Sequence, residues 1–306
     1  MKNIINYYYN LNAIDLRNIG NDYIFKADNK TYLFCRLDRD FHAKSFFQLM
    51  NELSKIKYFH TLIYNKDKIF YTFDGRNNYV LLRVNFNFNR YISIEDILRL
   101  NLYSNNLSLS KINNNFNWTR LWKEKIDYLE YYINTKDNIN DKIKCIFYYF
   151  IGISENSIKY IEKAFESVNS KIEGNLSLTH KRINHKYTLY EFYNPLNVVV
   201  DHTVRDISEY LKSIFIDNIY SQKKIDDIIY KLNLSEFGYK LLYGRVAFPT
   251  FFFDLIDRYE EIKFDEKDII SVYDRAEEYE KFVLMVYLSI KNIKNVNILN
   301  ISWIGK

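Results

Sequence analysis

Polar and apolar positions alternate through much of the first ninety residues, and beyond them the apolar period becomes helical. "DYIFKADNKTYLFCRL" (Asp22–Leu37) holds two β-rich runs on either side of Asp28-Asn29, a hairpin signal. In "FHAKSFFQLMNELSKI" (Phe41–Ile56), Phe46, Leu49, Met50, Leu53 and Ile56 fall at helical spacing. "HTLIYNKDKIFYTFDGRNNYVLLRV" (His60–Val84) predicts three more strands, punctuated at Asn65-Lys66-Asp67 and at Asp74-Gly75. Strand, strand, helix and three strands, joined by short links, suit an antiparallel sheet.

From Ser93 the pattern is helical. Ser93 with Asp96 forms a capping-box signature ahead of "SIEDILRLNLYS". Long amphipathic helices are expected over Trp118–Ile133 and Asp141–Val168, with a loop over Lys111–Asn117 between them and the preceding helix. A β-type insert, Leu176–Asp201, interrupts the helices. They resume over Asp206–Phe215, Lys223–Lys231, Ser235–Ile262 (broken or kinked near Pro249) and Ile270–Lys291. The expected division is a sheet-bearing part, 1–86, and a helical part, 87–306, carrying the insert 176–201 as a hairpin. The fold class is α+β.

The composition allows a sizeable core, at 48% hydrophobic and 18% aromatic over 306 residues. The 29 Tyr and 23 Phe accompany abundant Asn, Ile and Lys, all residues of AT-rich codons, so codon bias explains the aromatic excess without a stacking platform. A net charge of +5 is spread with acidic residues between the basic ones, unlike the concentrated stripe of a nucleic-acid protein. Cys35 and Cys145 stand far apart, which excludes a disulfide framework and a zinc spacing and points to a reducing compartment. The start, "MKNIINYYYNLN", lacks the apolar run of a signal peptide, and "FVLMVYLSI" (Phe282–Ile290) falls short of the ~20 residues of a membrane helix, so a soluble protein is expected.

Candidate chemistry concentrates in "THKRINHKY" (Thr179–Tyr187) and "VVVDHTVRD" (Val198–Asp206), which hold three of the five histidines. A metal site built from His180, His185 and His202, with Asp201 beside the last, lacks any known ligand spacing, and no metal is expected. No nucleophile elbow is present. No two of the seven glycines have the spacing of a phosphate-cradling loop, which excludes a P-loop and a dinucleotide fingerprint.

The order of that region, a β segment reaching His180, a loop, and "VVVD" ending at Asp201, resembles the catalytic and metal-binding segments of the aminoglycoside phosphotransferase group of kinase-like enzymes. Their pattern is H-G-D-x-H-x-x-N followed by I-D-x, and the resemblance implies a two-lobed kinase-like fold with a small antiparallel-sheet lobe and a larger helical one. His180 matches the first histidine and Asp201 the second, magnesium-binding aspartate. Arg182 stands at the catalytic base, Asn184 at the second histidine, and Tyr187 at the magnesium-binding asparagine. A guanidinium accepts no proton at ordinary pH, and a phenol is a poor magnesium ligand. Cys35 fills the place of the ATP-pairing lysine, with Arg36 next to it on the opposite face. The following helix has no acidic residue before Glu52 to pair with such a cation.

A closer resemblance is to the CotS/YutH-type spore-coat proteins, especially the YutH-like branch. "WTRLWKEKIDYLE" (Trp118–Glu130), "LTHKRINHKYTLYEFYNPLNVVVDHTVRDISEYLK" (Leu178–Lys212) and "LLYGRVAFPTFFFDLIDRYEEI" (Leu241–Ile262) carry it, the last being most specific. It implies a catalytically inactive kinase-like protein, made in the mother-cell cytoplasm and then placed in the spore coat. Such a protein acts through coat or assembly partners, with no nucleic acid, no membrane insertion and no cofactor. The alternatives are a nucleotide or small-ligand sensor, or an atypical phosphotransferase using Asp201. Among structural roles, Arg182 is the expected salt-bridge partner of Asp201, Arg205 a partner for some carboxylate, Asp206 with Glu209 a helix cap, and Arg245 a stacking or anchoring residue.

Overall fold

The computed structural model describes residues 1–37, 42–109, 112, 117–135, 139–166, 176–259, 266–301 and 304. The chain divides into two compact units. The first comprises 1–92, 102–113 and 186–199; the second comprises 93–101, 114–185 and 200–306. The α+β class holds, with an antiparallel sheet in the N-terminal part and helices dominating the C-terminal part.

The sheet unit opens with α1 (Lys2–Tyr9) and β1 (Ile14–Ile19), neither of which the pattern foretold. Only Ile5 of α1 is buried, and β1 is exposed at five of six positions, so neither shows a strong period. β2 (Asp22–Ala27) and β3 (Lys30–Arg36) form the expected hairpin. Its turn residues Asp28 and Asn29 both take positive φ, 48° and 57°, the left-handed pair that a two-residue hairpin turn needs. α2 (Ala43–Leu53) then leads to β4 (Thr61–Ile63), β5 (Thr72–Phe73) and β6 (Asn78–Arg83). The order β1-β2-β3-β6-β4, with β5 also on β6, is antiparallel throughout. Alternation along β3 sends Tyr32 and Phe34 to one buried cluster and Leu33 and Cys35 to the other, so both faces of the sheet are covered.

In the helical unit, α3 (Ile94–Ser104) starts where expected, and Asp96 accepts from both the backbone N–H and the hydroxyl of Ser93. α4 (Trp118–Thr135) and α5 (Asp141–Glu166) pack together, α5 burying eleven residues. Most of the expected loop 111–117 and the expected helix ends at 167–168 and 260–262 lie outside the described residues. The insert is less of a hairpin than expected. β7 (Leu176–His180) and β8 (Val198–His202) pair, but α6 (Leu189–Phe192), capped by a Thr188–Glu191 box, and a short 3-10 turn at Pro195–Asn197 stand between them. α7 (Val204–Ile216), α8 (Gln222–Lys231), α9 (Glu236–Ala247) and α10 (Thr250–Tyr259) follow, with the break at Phe248-Pro249. The single helix expected over Ile270–Lys291 is two, α11 (Glu266–Tyr273) and α12 (Ala276–Lys294), separated at Asp274-Arg275.

Gly244 lets α9 approach α5. A Cβ there would lie 2.5 Å from Ile161 Cγ1 and 3.1 Å from Tyr160 Cδ1. Ile161 is fully buried and cannot yield. Gly244→Ala gains ~1 kcal/mol of helix propensity but costs about 1–3 kcal/mol in overpacking. We expect net destabilisation in urea unfolding, and a stabilised variant would contradict this packing.

Candidate functional site

The end of β7, the end of β8 and the start of α7 converge in the helical unit on one group of charged side chains. Asp201 is fully buried, and its carboxylate is saturated with donors. Trp118 Nε1–H donates to both oxygens at 2.9 and 3.0 Å, the His202 amide donates at 2.6 Å, and Arg205 Nη1 donates at 2.6 Å. Arg205 also donates from Nε to the His180 carbonyl at 2.9 Å and from Nη2 to the Lys181 carbonyl at 3.1 Å. One guanidinium therefore ties the strand end to the aspartate. Such forked donors suit several acceptors in one plane.

The expected Arg182–Asp201 pair does not form. Arg182 is exposed and donates to Asp254 of α10 at 2.7 Å. Arg205 takes the place because one helical turn from β8 returns its side chain over the strand it has just left. Asp206 is no helix cap either. It clamps His180, accepting the backbone N–H at 2.9 Å and contacting ring Nδ1 at 2.6 Å. Thr203, at the N-cap of α7, makes no capping bond through its side chain.

Glu209, the other expected capping residue, lies a turn deeper in α7 between two cations. It accepts from Lys212 Nζ at 2.9 Å and from Arg245 Nη2 at 3.4 Å, and Thr250 donates to its second oxygen at 3.2 Å. Burial alone would raise the Glu209 carboxyl, but Lys212 and Arg245 outweigh it and hold the group down at about 2. Burial pushes Lys212 down to about 8 against the pull of Glu209. The Lys212 ammonium also faces the carbonyls of Arg245 and Phe248 and the Thr250 hydroxyl at 2.7 Å. Both carbonyls lie at the end of α9 ahead of Pro249, and that of Phe248 also accepts the Thr250 N–H at 2.9 Å.

Arg245 stacks as expected, its guanidinium carbon 4.3 Å from the Trp118 ring centroid, and it also anchors to Glu209. Its Nε and Nη1 are buried without a hydrogen-bond partner. Phe248 lies on Trp122 at 3.9 Å between centroids, nearly parallel. The segments "WTRLW", "VVVDHTVRD" and "YGRVAFP" thus meet at one place. Sequence reasoning overlooked the indole on Asp201, 83 positions away, and the burial of Lys212. The only signal for Lys212 was its spacing of three from Glu209.

The remaining candidates lie apart. Cys35 is buried in the sheet unit, its thiol pushed well up by burial, with Asn194 Nδ2 3.5 Å from Sγ. Arg36, next to it, is exposed, and Glu52 pairs with Lys55 at 2.7 Å. Tyr187 belongs to the sheet unit and is half-buried, its carbonyl accepting the Ile92 N–H at 2.9 Å. The three histidines do not gather. His180 goes to Asp206, His185 to Ser213 and Asp217, and His202 accepts the Val204 N–H. Among the described residues, no three His, Cys, Asp or Glu are placed to hold a metal ion. Ser213, His185 and Asp217 touch in the order of a hydrolase triad, but Ser213 donates its proton to the Tyr210 carbonyl at 2.7 Å and accepts the His185 N–H. Its hydroxyl therefore gives the imidazole no proton to take.

The fold is that of the kinase-like phosphotransferases. An aminoglycoside phosphotransferase from Alicyclobacillus acidocaldarius subsp. acidocaldarius DSM 446 superposes with a TM-score of 0.57 over 96% of each chain at 10% identity. The AMP-bound spectinomycin phosphotransferase gives 0.57 over 95% of this chain and 97% of its own at 10% identity, and a microcompartment-associated aminopropanol kinase 0.53 over 97% and 98% at 8% identity. Within that class the chain belongs to the family described as "Spore coat putative kinase YutH", whose model matches residues 2–285. It is 24% identical over 209 residues to the endospore coat-associated protein YutH of Bacillus subtilis (strain 168). That match covers 62% of this chain and 61% of the relative, less than two thirds of the relative's length. No helix among the described residues is long and apolar enough to cross a membrane.

Proposed function

We propose that this chain is a non-catalytic kinase-like protein of the spore coat, made in the mother-cell cytoplasm and acting through contacts with other coat or assembly proteins. The carrying observation is the saturation of Asp201. A carboxylate offers about four lone-pair positions, and here an indole N–H shared by both oxygens, a guanidinium and an amide take them. Magnesium at this position must displace a buried indole donor and a guanidinium 2.6 Å away. The other positions agree. Arg182 is a cation held by Asp254 where a base is needed, and Cys35 is a buried neutral thiol where a lysine is needed. The residues present do not fit a magnesium–nucleotide, so no phosphoryl-transfer step follows. Nor does this reading involve nucleic acid or membrane insertion.

The competing reading, a nucleotide sensor or a phosphotransferase using Asp201, is separated by one measurement. We expect the melting temperature of the purified protein to be unchanged by millimolar ATP and magnesium. A ligand binding only the folded state at 100 times its dissociation constant adds about 2.7 kcal/mol of stability, which a melting curve resolves. A saturable rise that Asp201→Asn abolishes would overturn the non-catalytic reading and call for a phosphotransfer assay. The coat assignment is tested separately by fractionating spores, where recovery of the chain only outside the coat would overturn it.

A further inference from the structure

After α12 the chain turns back onto the helical unit. Asn295, in the left-handed region at φ 50°, ends α12 and reverses the direction. Lys294, just before it, is pinned, donating from Nζ to the carbonyls of Tyr230 and Leu232, both at 2.7 Å. Beyond this fixed point 295–301 forms no helix or strand, yet Ile298, Ile301 and Ile304 are all buried. The family match, over residues 2–285, stops short of this segment.

The segment is seated on Tyr243 of α9, a fully buried residue. The Tyr243 ring packs against Tyr160 of α5 and Tyr287 of α12, at 5.3 and 5.5 Å between centroids. Both hydrogen bonds of its hydroxyl go to the segment. It donates to Asn300 Oδ1 at 2.6 Å and accepts the Ile301 N–H at 3.3 Å. Asn300 in turn donates from Nδ2 to the Ile304 carbonyl at 2.8 Å. A hydroxyl this deep is costly to leave without partners, so the seat favours being filled by a peptide.

The hold is light all the same. Asn297, Leu299 and Asn300 are exposed, so the segment meets the unit along one side. Three buried isoleucines and two hydrogen bonds give a gain of the same order as the cost of ordering the segment. Segments in that balance open locally, well below global unfolding.

We propose that this segment is an exchangeable arm, which swings out at Asn295 so that the Tyr243 seat of one chain takes the arm of a second copy. The closed and exchanged arrangements make the same contacts, so exchange needs no new surface. The arm carries its own recognition chemistry. Isoleucines recur at every third position, and the Asn300 amide oxygen and Ile301 N–H meet the hydroxyl. A short tether holds a chain's own arm at a millimolar effective concentration, so the exchanged dimer belongs to concentrated protein.

Light scattering of the full chain is expected to show a dimer growing in as the concentration approaches ~1 mM. Ile298→Asp with Ile301→Asp removes the arm's anchors and is expected to abolish that dimer. The variant leaves its own seat open, so a labelled peptide of residues 295–304 is expected to bind it saturably. The wild type is expected to bind the peptide at least ~10-fold more weakly, because its own arm competes. Adding Tyr243→Phe to the variant keeps the ring and drops the hydroxyl. Peptide affinity is then expected to fall by about 10- to 30-fold, the effect of two ordinary hydrogen bonds. A chain still monomeric at ~1 mM, a dimer that survives the aspartates, equal peptide binding by variant and wild type, or no effect of Tyr243→Phe would each overturn the proposal. Hydrogen exchange reads the release in the wild type alone, so a poorly folding variant leaves the test intact. The Ile301 amide is expected to exchange about 100-fold faster than those of Val283 and Val286, buried in α12. Equal protection would show that the arm does not detach.

Discussion

Arg205→Met is expected to lower the unfolding free energy by about 3–5 kcal/mol, the usual cost of stripping one partner from a buried ion pair. Asp201 is fully buried, and the substitution strips from its carboxylate the guanidinium 2.6 Å away. The carbonyls of His180 and Lys181 lose a donor at the same time. For a unit of 150–250 residues, each kcal/mol shifts the melting temperature by about 2–4 °C, so a fall on the order of 10 °C is expected. In the double variant Asp201→Asn with Arg205→Met, the uncompensated charge is gone. Its loss is expected to be smaller than the sum of the single losses by about 1–3 kcal/mol. Urea unfolding of the four proteins in the cycle measures this, and strict additivity would show that the pair does not couple.

Glu209→Gln is the second large effect, again about 3–5 kcal/mol, because it leaves two buried cations facing a neutral amide. The same carboxyl gives the wild type an acid limb. Its folded value is about 2, below the 4.5 of a free glutamate. Its contribution is therefore fully present above about pH 4.5 and is lost as pH falls through about 2. At ~1.4 kcal/mol per pKa unit, that contribution is about 3 kcal/mol. Lys212 works in the opposite sense. Its value is depressed from 10.5 to about 8, so the cost of burying its charge applies fully below pH 8 and is relieved as pH rises towards 10.5. Stability measured between pH 2 and 5 is expected to be flatter in Glu209→Gln than in the wild type, and parallel curves would contradict the assignment.

What the chain disclosed in advance was local. Asp28-Asn29 marked its hairpin, Ser93 with Asp96 its helix start, and Pro249 its helix break, because each acts within a few residues. α1 and β1 escaped because burial of the one is confined to Ile5 and the other is an exposed edge strand without alternation. The separation of α11 from α12 escaped because no glycine or proline marks it. In the charged site the residues were legible and their pairing was not. Arg182 follows β7 and Arg205 follows β8, and only the direction of α7 decides which guanidinium reaches the carboxylate. Trp118 had no local signal at all, since an indole N–H finds its acceptor through the packing of α4.

Trp118 and Trp122, whose rings stack with centroids 6.1 Å apart, have an optical consequence. Trp118 and Trp122 fall in the helical unit, and the sheet unit's sequence holds no tryptophan. Tryptophan emission, excited selectively, therefore reports nothing from the sheet unit, and Trp118 and Trp122 report from the place where Asp201 and Arg245 meet the indoles. Far-ultraviolet circular dichroism watches both units. Coincident emission and dichroism transitions would mean that the chain melts as one cooperative body. An emission change that precedes or trails the dichroism would mean that the two halves come apart in sequence, read without a label or a mutation.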